Sequence, residues 1–265
     1  MVGTGAEMPT RESMYADERR QYILEEAKRH GRVEASVLAT KLAVATETIR
    51  RDLGVLERNG LIKRTHGGAI LLERLGFQLT VTERGDLMIP EKDRIAAAAL
   101  NELPREGAVL LDGGTTTARL ARLISPDREL TVVTRSLQIA SILMSHSRLK
   151  VFMVGGRVRP QELTTVDDWA TRCLADIYVD VAYIGTNGVS LERGLTSPDQ
   201  EESAVKRTMI SSARRVVVLA DHSKIGVDYF HRFASLDDID VLITDSGLDR
   251  ELAAGLTVAV PVVCA

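Results

Sequence analysis

The segment Leu110–Leu120, LLDGGTTTARL, gathers the residue types that hold an oxyanion. An apolar run ends in Asp112, Gly113 and Gly114 allow a tight turn, and Thr115, Thr116 and Thr117 open a helix. Glycines permit close approach, a helix start offers free N–H groups and a positive dipole end, and hydroxyls add donors. Phosphate is the natural guest. A tight turn with an ordinary threonine cap is the plainer reading of the same residues. The pattern is not a P-loop, because no lysine follows the glycines. Three further apolar runs end in polar or glycine-rich turns: Val154-Gly155-Gly156-Arg157-Val158-Arg159, Ile184-Gly185-Thr186-Asn187-Gly188, and Leu219-Ala220-Asp221-His222-Ser223-Lys224. Glu202 and Lys206 lie four apart in a helical stretch, which alone is only a helix pair. Convergence of these turns on one rim of one sheet would make a polar, cationic pocket for an anionic sugar.

A second chemistry sits in ATETIRRDLGVLERNGLIKRTHGG, residues 45–68. Ile49, Leu53 and Leu56 mark the inward face of a helix running from Thr46, a good N-cap, to about Arg58. The opposite face offers Thr46, Glu47, Arg50 and Arg51, with Thr48 at its edge. A helix entering the major groove of DNA needs this layout: hydroxyls and N–H groups for phosphates, guanidinium groups for guanine edges. The hairpin that follows places Lys63, Arg64 and His66 beside the flanking backbone. Two adjacent arginines alone are usually a solvated face. The complete layout of three helices and a hairpin favours DNA.

Elements to carry these groups follow from periodicity. Helix one spans about 17–30, with Tyr22, Ile23, Leu24 and Ala27 facing in and Gly31 as the stop. Helix two covers about 34–42 with Val37, Leu38 and Leu42 inward, and Asn59-Gly60 closes helix three. Residues 1–15 lack any period and are expected to be disordered. Residues 16–70 form a winged helix-turn-helix domain, 71–90 a connector, and 91–265 an α/β domain. In the last, apolar strands at 108–113, 130–134, 150–156, 180–186, 215–221, 241–245 and 257–263 alternate with helices. This implies a parallel sheet covered on both faces, with 157–167 irregular.

Composition narrows the class. The chain of 265 residues carries a net charge of only -3. Residues 16–70 hold 11 Lys and Arg against 8 Asp and Glu, whereas residues 71–265 hold 22 against 27. A basic front and an acidic back put the phosphate-backbone contact at the front. Cys173 and Cys264 make neither a disulfide framework nor a metal cluster and read as small buried hydrophobes. No apolar run nears the length of a membrane span and no signal-peptide core is present, so a soluble cytoplasmic protein is the expectation. No cofactor, catalytic set or metal site is expected.

The T-I-R-R-D-L core and the R-x-H-G-G-A wing closely resemble the DNA-binding domain of the DeoR family of bacterial transcriptional regulators. D-G-G-T-T-T, G-G-R-x-R-P, G-L-T-S-P-D-x-E-E-x-x-V-K-R and A-D-x-S-K resemble its effector-binding domain. The resemblance implies a fold like that of ribose-5-phosphate isomerase and its relatives, and a sensor of phosphorylated sugars. It implies pocket roles for Asp112, Gly113, Thr115, Thr116, Arg157, Lys206, Asp221 and Lys224. With the residues above, the candidate effector set also holds Gly114, Thr117, Arg159 and Glu202. Three positions depart from the family pattern. Arg135-Ser136 replaces Asn-Ser and adds a cation by the cradle, Leu163–Trp169 replaces a glycine-bearing segment, and Asn187 stands for Asp. The expected function is a repressor of a sugar-catabolism operon, binding double-stranded operator DNA as a homo-oligomer, dimer or tetramer. A phosphorylated sugar would release it. The alternative is a phosphosugar isomerase with a DNA-binding head, which would conscript Glu202, Asp112 and Lys206 as acid and base.

Overall fold

The computed structural model describes residues 15–30, 32–58, 61–65, 67–71 and 80–265. Residues 1–14, Gly31, Asn59-Gly60, His66 and residues 72–79 lie outside the described residues, with the readings made for them above. The chain divides into two compact units, residues 1–79 and 80–265.

The first unit runs α1 (Ala16–His30), β1 (Arg32–Glu34), α2 (Ala35–Lys41), α3 (Thr46–Arg58), β2 (Ile62–Thr65) and β3 (Gly68–Leu71). The strands pair in the order β1-β3-β2. Ile49, Leu53 and Leu56 of α3 are buried, as their spacing predicts, against Ile23 and Ala27 of α1 and Ala35, Leu38 and Ala39 of α2. The inward residues of α2 lie three and four apart, so Val37, expected to face in, falls off the stripe and is 57% exposed. Thr46 is the first helical residue rather than the cap; the carbonyl of Ala45 accepts from the N–H groups of Thr48 and Ile49. β1 was not foreseen: Val33 pairs with Ala69, and a Cβ on Gly68 would lie 2.0 Å from the Val33 carbonyl oxygen. The wing glycine therefore serves close strand approach.

Asp52, in the middle of T-I-R-R-D-L, is buried. Its carboxylate accepts from Arg19 Nε at 2.5 Å and Arg20 Nε at 3.3 Å, tying α3 to α1. Asp52→Ala leaves both guanidinium groups without this acceptor. It is expected to cost the first unit about 1.5–3 kcal/mol, read by thermal or urea unfolding. An unchanged midpoint would contradict the clamp.

The second unit begins inside the segment read as a connector, with α4 (Val81–Gly85) and α5 (Ile89–Ala99). There follow β4 (Glu106–Leu111), α6 (Thr115–Leu123), β5 (Glu129–Thr134), α7 (Leu137–Leu143) and β6 (Lys150–Met153). Next come β7 (Arg157–Arg159), β8 (Thr164–Val166), α8 (Asp168–Ala175), β9 (Val179–Gly185), β10 (Gly188–Ser190) and β11 (Gly194–Ser197). α9 (Gln200–Ser211), β12 (Ala213–Leu219), β13 (His231–Ala234), β14 (Val241–Thr244), α10 (Arg250–Ala259) and β15 (Val262–Cys264) complete it. A seven-stranded sheet has the order β15-β14-β12-β9-β4-β5-β6, parallel throughout. Val109 and Leu111 of β4 enter a core with α5, α6 and α7, while Leu110 enters another with α8 and α9. Both faces are covered, as continuous apolar strands demand. The chain leaves β4 toward β5 and later returns on its other side as β9, so the crevice where strand order reverses opens at the carboxyl ends of β4 and β9.

Several expectations need correction. The run Thr257–Val263 is not one strand: α10 extends to Ala259, and only Val262–Cys264 pairs, after Pro261. A short apolar run does not distinguish helix from strand. Residues 157–166 form the β7–β8 hairpin, and β10, β11 and β13 form a small antiparallel sheet. Cys173 and Cys264 are exposed, not buried; Cys173 neighbours the inward Leu174 on α8 and Cys264 sits on an edge strand. Among the described residues no helix is long and apolar enough to cross a membrane.

Candidate nucleic-acid interface and sensor site

The outer face of α3 carries Thr46, Glu47, Thr48, Arg50 and Arg51, all exposed or half-buried. Arg50 reaches Glu47 at 3.6 Å, one turn back. Arg51 makes no ion pair among the described residues. Glu57 accepts from the backbone N–H of Arg64 at 2.9 Å, pinning the wing to α3. An open groove of about 710 Å³ runs between them, lined by Glu47, Arg50, Arg51, Gly54, Val55 and Arg64. Three guanidinium groups against one carboxylate give it a cationic lining suited to a phosphate backbone. Lys63 lies in β2.

In the second unit, Asp112 follows β4 and is fully buried. Its Oδ1 accepts from the N–H of Gly113 at 2.7 Å and from Arg135 Nε at 2.6 Å; its Oδ2 accepts from the N–H of Gly185 at 3.2 Å and from Lys206 Nζ. Arg135 also donates to the Thr165 carbonyl at 3.3 Å and to Glu202 Oε1 at 3.2 Å. Lys206 donates to the Gly185 carbonyl at 2.7 Å and lies 3.5 Å from Glu202. Two cations and two carboxylates thus close a neutral quartet beneath the crevice. Burial alone would raise the Asp112 carboxyl, but the charges of Arg135 and Lys206, with their hydrogen bonds, hold it below the usual carboxylate range. Glu202 is lowered against its burial in the same way, chiefly by Lys206 and Arg135. Arg135, expected as an added cation at the cradle, is spent inside this network.

Above the quartet, Gly114 occupies the cap of α6 with φ 128° and no side-chain cap bond. Gly114, Thr115 and Thr116 are half-buried, whereas the Thr117 hydroxyl turns back to the Gly114 carbonyl at 3.0 Å. A Cβ on Gly113 would lie 2.2 Å from Thr164 Cγ2. Gly113→Ala is therefore expected to push the β7–β8 hairpin aside and cost the second unit about 1–3 kcal/mol, measured by thermal unfolding; full stability would show that β8 yields freely. Arg159 lies 3.0 Å from Asp199 and 3.6 Å from Glu202, at the margin of the quartet. Arg157 does not join the others: it is exposed and bound to Glu201. Asp221 is buried and accepts from the N–H of Ser223 at 3.2 Å, and Lys224 is half-buried. Trp169 is 65% exposed, its indole 3.8 Å from where a Cβ on Gly155 would sit. Spacing missed Asp199, whose carboxylate caps α9 at 2.8 Å from the N–H of Glu202.

A winged head with a cationic groove, joined to a doubly covered parallel sheet with a polar crevice at its switch point, defines a ligand-sensing transcriptional regulator. The DeoR-like helix-turn-helix domain matches residues 19–74 and the DeoR C terminal sensor domain matches residues 88–246. The chain belongs to the DeoR family of DNA-binding transcriptional regulators. It is 35% identical to the HTH-type transcriptional repressor GlcR of Bacillus subtilis (strain 168) over 88% of this chain and 89% of that protein. It is 28% identical to the glycerol-3-phosphate regulon repressor of Escherichia coli (strain K12) over 88% of this chain and 92% of that protein. These relatives are regulators rather than enzymes, and the isomerase reading falls with that. Among solved structures, ribose 5-phosphate isomerase A from Methanocaldococcus jannaschii aligns over 51% of this chain and 53% of its own. The TM-score is 0.38 at 17% identity, too loose to carry chemistry across.

Proposed function

We propose that the protein represses a carbohydrate-catabolism operon and leaves its operator when a phosphorylated sugar or similar anionic metabolite binds the second unit. The observation that carries the reading is the uncapped amino end of α6 at the strand-order reversal, over the buried quartet. There Gly114, Thr115 and Thr116 face the anionic group, with Asp221 and Lys224 at the rim; the Gly113 N–H and the Thr117 hydroxyl are turned instead to Asp112 and to the Gly114 carbonyl. Asp112, Arg135, Glu202 and Lys206 form the floor, where sugar hydroxyls meet an already satisfied network, and Arg159 borders it. Arg157 takes no part in this reading, since Glu201 holds it at the surface. Likeness to the glycerol-3-phosphate regulon repressor supports a phosphorylated effector.

On the DNA side, Thr46, Thr48, Arg50, Arg51 and Arg64 touch the operator, with Glu47 orienting Arg50. A single winged head has a small footprint, so two heads on a two-fold operator are needed, and the protein works as a homo-oligomer. Coupling is a difference in operator affinity between ligand-bound and free states; a tenfold change needs only about 1.4 kcal/mol. The test is fluorescence anisotropy of labelled operator titrated with ribose, glucosamine, tagatose and glycerol phosphates beside their unphosphorylated forms. Release by a phosphorylated compound alone is expected. Tighter retention would reverse the sign, and indifference to all of them would remove the effector class.

A further inference from the structure

The two edges of the seven-stranded sheet are built differently. β15 follows Pro261, and the chain beyond it is tied in: the Ala265 carbonyl accepts from the Ser246 N–H at 3.1 Å and from Arg94 Nε at 3.4 Å. β6 pairs with β5 on one side and with no strand on the other among the described residues. Folded proteins usually guard such an edge with proline, a bulge or charges. β6 has no proline and a single charge, Lys150, at its first residue; it ends in Phe152 and Met153, both exposed. Register with β5 puts Val151 and Met153 on the α7 side of the sheet and Phe152 on the α8 side.

Apolar groups continue from the strand onto both faces. α7 buries Ile139 and Leu143, and its outer stripe is Leu137, Ser141 and Met144, four and three apart. No residue from Leu137 to Ser145 is charged, and Met144 is 73% exposed, so this stripe is not built for water. On the opposite face Trp169 of α8 reaches Gly155, two residues past β6, and Val158 is exposed on β7. An apolar edge of this extent marks an interaction surface.

The charges at the two ends of β6 choose the occupant. Lys150 stands at the amino end, and Arg148 before it is matched by Glu129 at 3.9 Å. Asp168 stands at the carboxyl end, because Asp167 accepts from the Arg157 N–H at 3.0 Å and so holds the start of α8 against the turn that leaves β6. Arg157 itself is bound to Glu201. Lys150 and Asp168 are exposed, and neither makes an ion pair among the described residues. A second β6 laid antiparallel across a two-fold axis brings each Lys150 toward the other copy's Asp168, pairs the free N–H and C=O groups of both strands, and sets the apolar side chains against their counterparts. A parallel neighbour would set Lys150 against Lys150. We propose that the β6 edge, with the outer stripe of α7 and Trp169, is the face through which two copies of this chain join, continuing the sheet across the axis. This rests on the homo-oligomer reading given above and names its surface.

The experiment is sedimentation equilibrium of the full chain over a concentration series, without DNA. The wild type is expected to give an even multiple of the chain mass. Phe152→Asp is expected to halve it, as the dissociation constant rises about a hundredfold when a charge enters one apolar contact twice. Lys150→Glu is expected to weaken association about tenfold, and Lys150→Glu combined with Asp168→Lys to restore it to within about threefold, a rescue that the antiparallel arrangement alone supplies. Leu252→Asp, an exposed position on α10, is expected to leave the mass unchanged. These side chains are exposed, and circular dichroism checks that each variant keeps the fold. An oligomer whose mass Phe152→Asp does not change, or a double variant that associates no better than Lys150→Glu alone, overturns the inference and leaves the homo-oligomer reading in place. A wild-type chain that is monomeric at every concentration sinks both and gives the edge to a different partner.

Discussion

Arg51→Ala is expected to weaken operator binding by about two orders of magnitude while the second unit binds its ligand unchanged. A guanidinium bidentate to a base edge or phosphate contributes about 1–3 kcal/mol, and each of two heads on a two-fold operator would lose it. Arg51 is exposed on α3, lines the cationic groove and has no ion pair among the described residues, so its removal disturbs no packing. Arg50 is the comparison: it is partly satisfied by Glu47. Arg50→Ala should cost less than Arg51→Ala if that pair persists on DNA. Normal affinity of Arg51→Ala, measured by anisotropy at one fixed salt concentration, would show that another face of the head reads the operator.

Lys206→Met is expected to destabilise the second unit by about 3–5 kcal/mol at neutral pH, because it leaves buried carboxylates of Asp112 and Glu202 sharing one guanidinium. Direction with pH follows from the same network. The carboxyls of Asp112 and Glu202 are held below their ordinary range in the fold. Their contribution is therefore fully present above the unfolded carboxylate range and lost as pH falls through their folded values. Wild-type stability should drop in acid, and the gap between wild type and Lys206→Met should narrow there, since a protonated carboxyl no longer requires the ammonium. Urea unfolding at neutral and acid pH reads both. A gap that stays constant would mean that Lys206 acts through packing alone. Arg135→Ala should behave alike, since Arg135 meets both carboxylates.

The head was legible in sequence because its signals are local. Ile49, Leu53 and Leu56 mark the buried face of α3, and its outer face follows by elimination. What escaped was non-local. β1 is three residues whose pairing partner lies across the domain, and Asp52 reads as one more surface charge until α1 brings Arg19 and Arg20 to it. In the second unit, the parallel sheet followed from the alternation of apolar runs and helices. The quartet did not, because Asp112 and Lys206 are far apart in the chain and meet only when β4, β9 and α9 pack. Arg135 was read as an added cation at the cradle for the same reason. The α10–β15 region failed for a different reason: a mixed apolar run fits helix and strand equally until Pro261 and the pairing with β14 divide it.

Under the proposed function, each unit biases the ligand of the other. Reciprocity makes it testable in one measurement: titrate the effector into free protein and into protein saturated with operator. The factor by which the effector weakens operator binding must equal the factor by which operator weakens effector binding, and both should be tenfold or more. Equal effector affinity with and without operator would contradict the account, because a ligand that does not distinguish the two states cannot shift them.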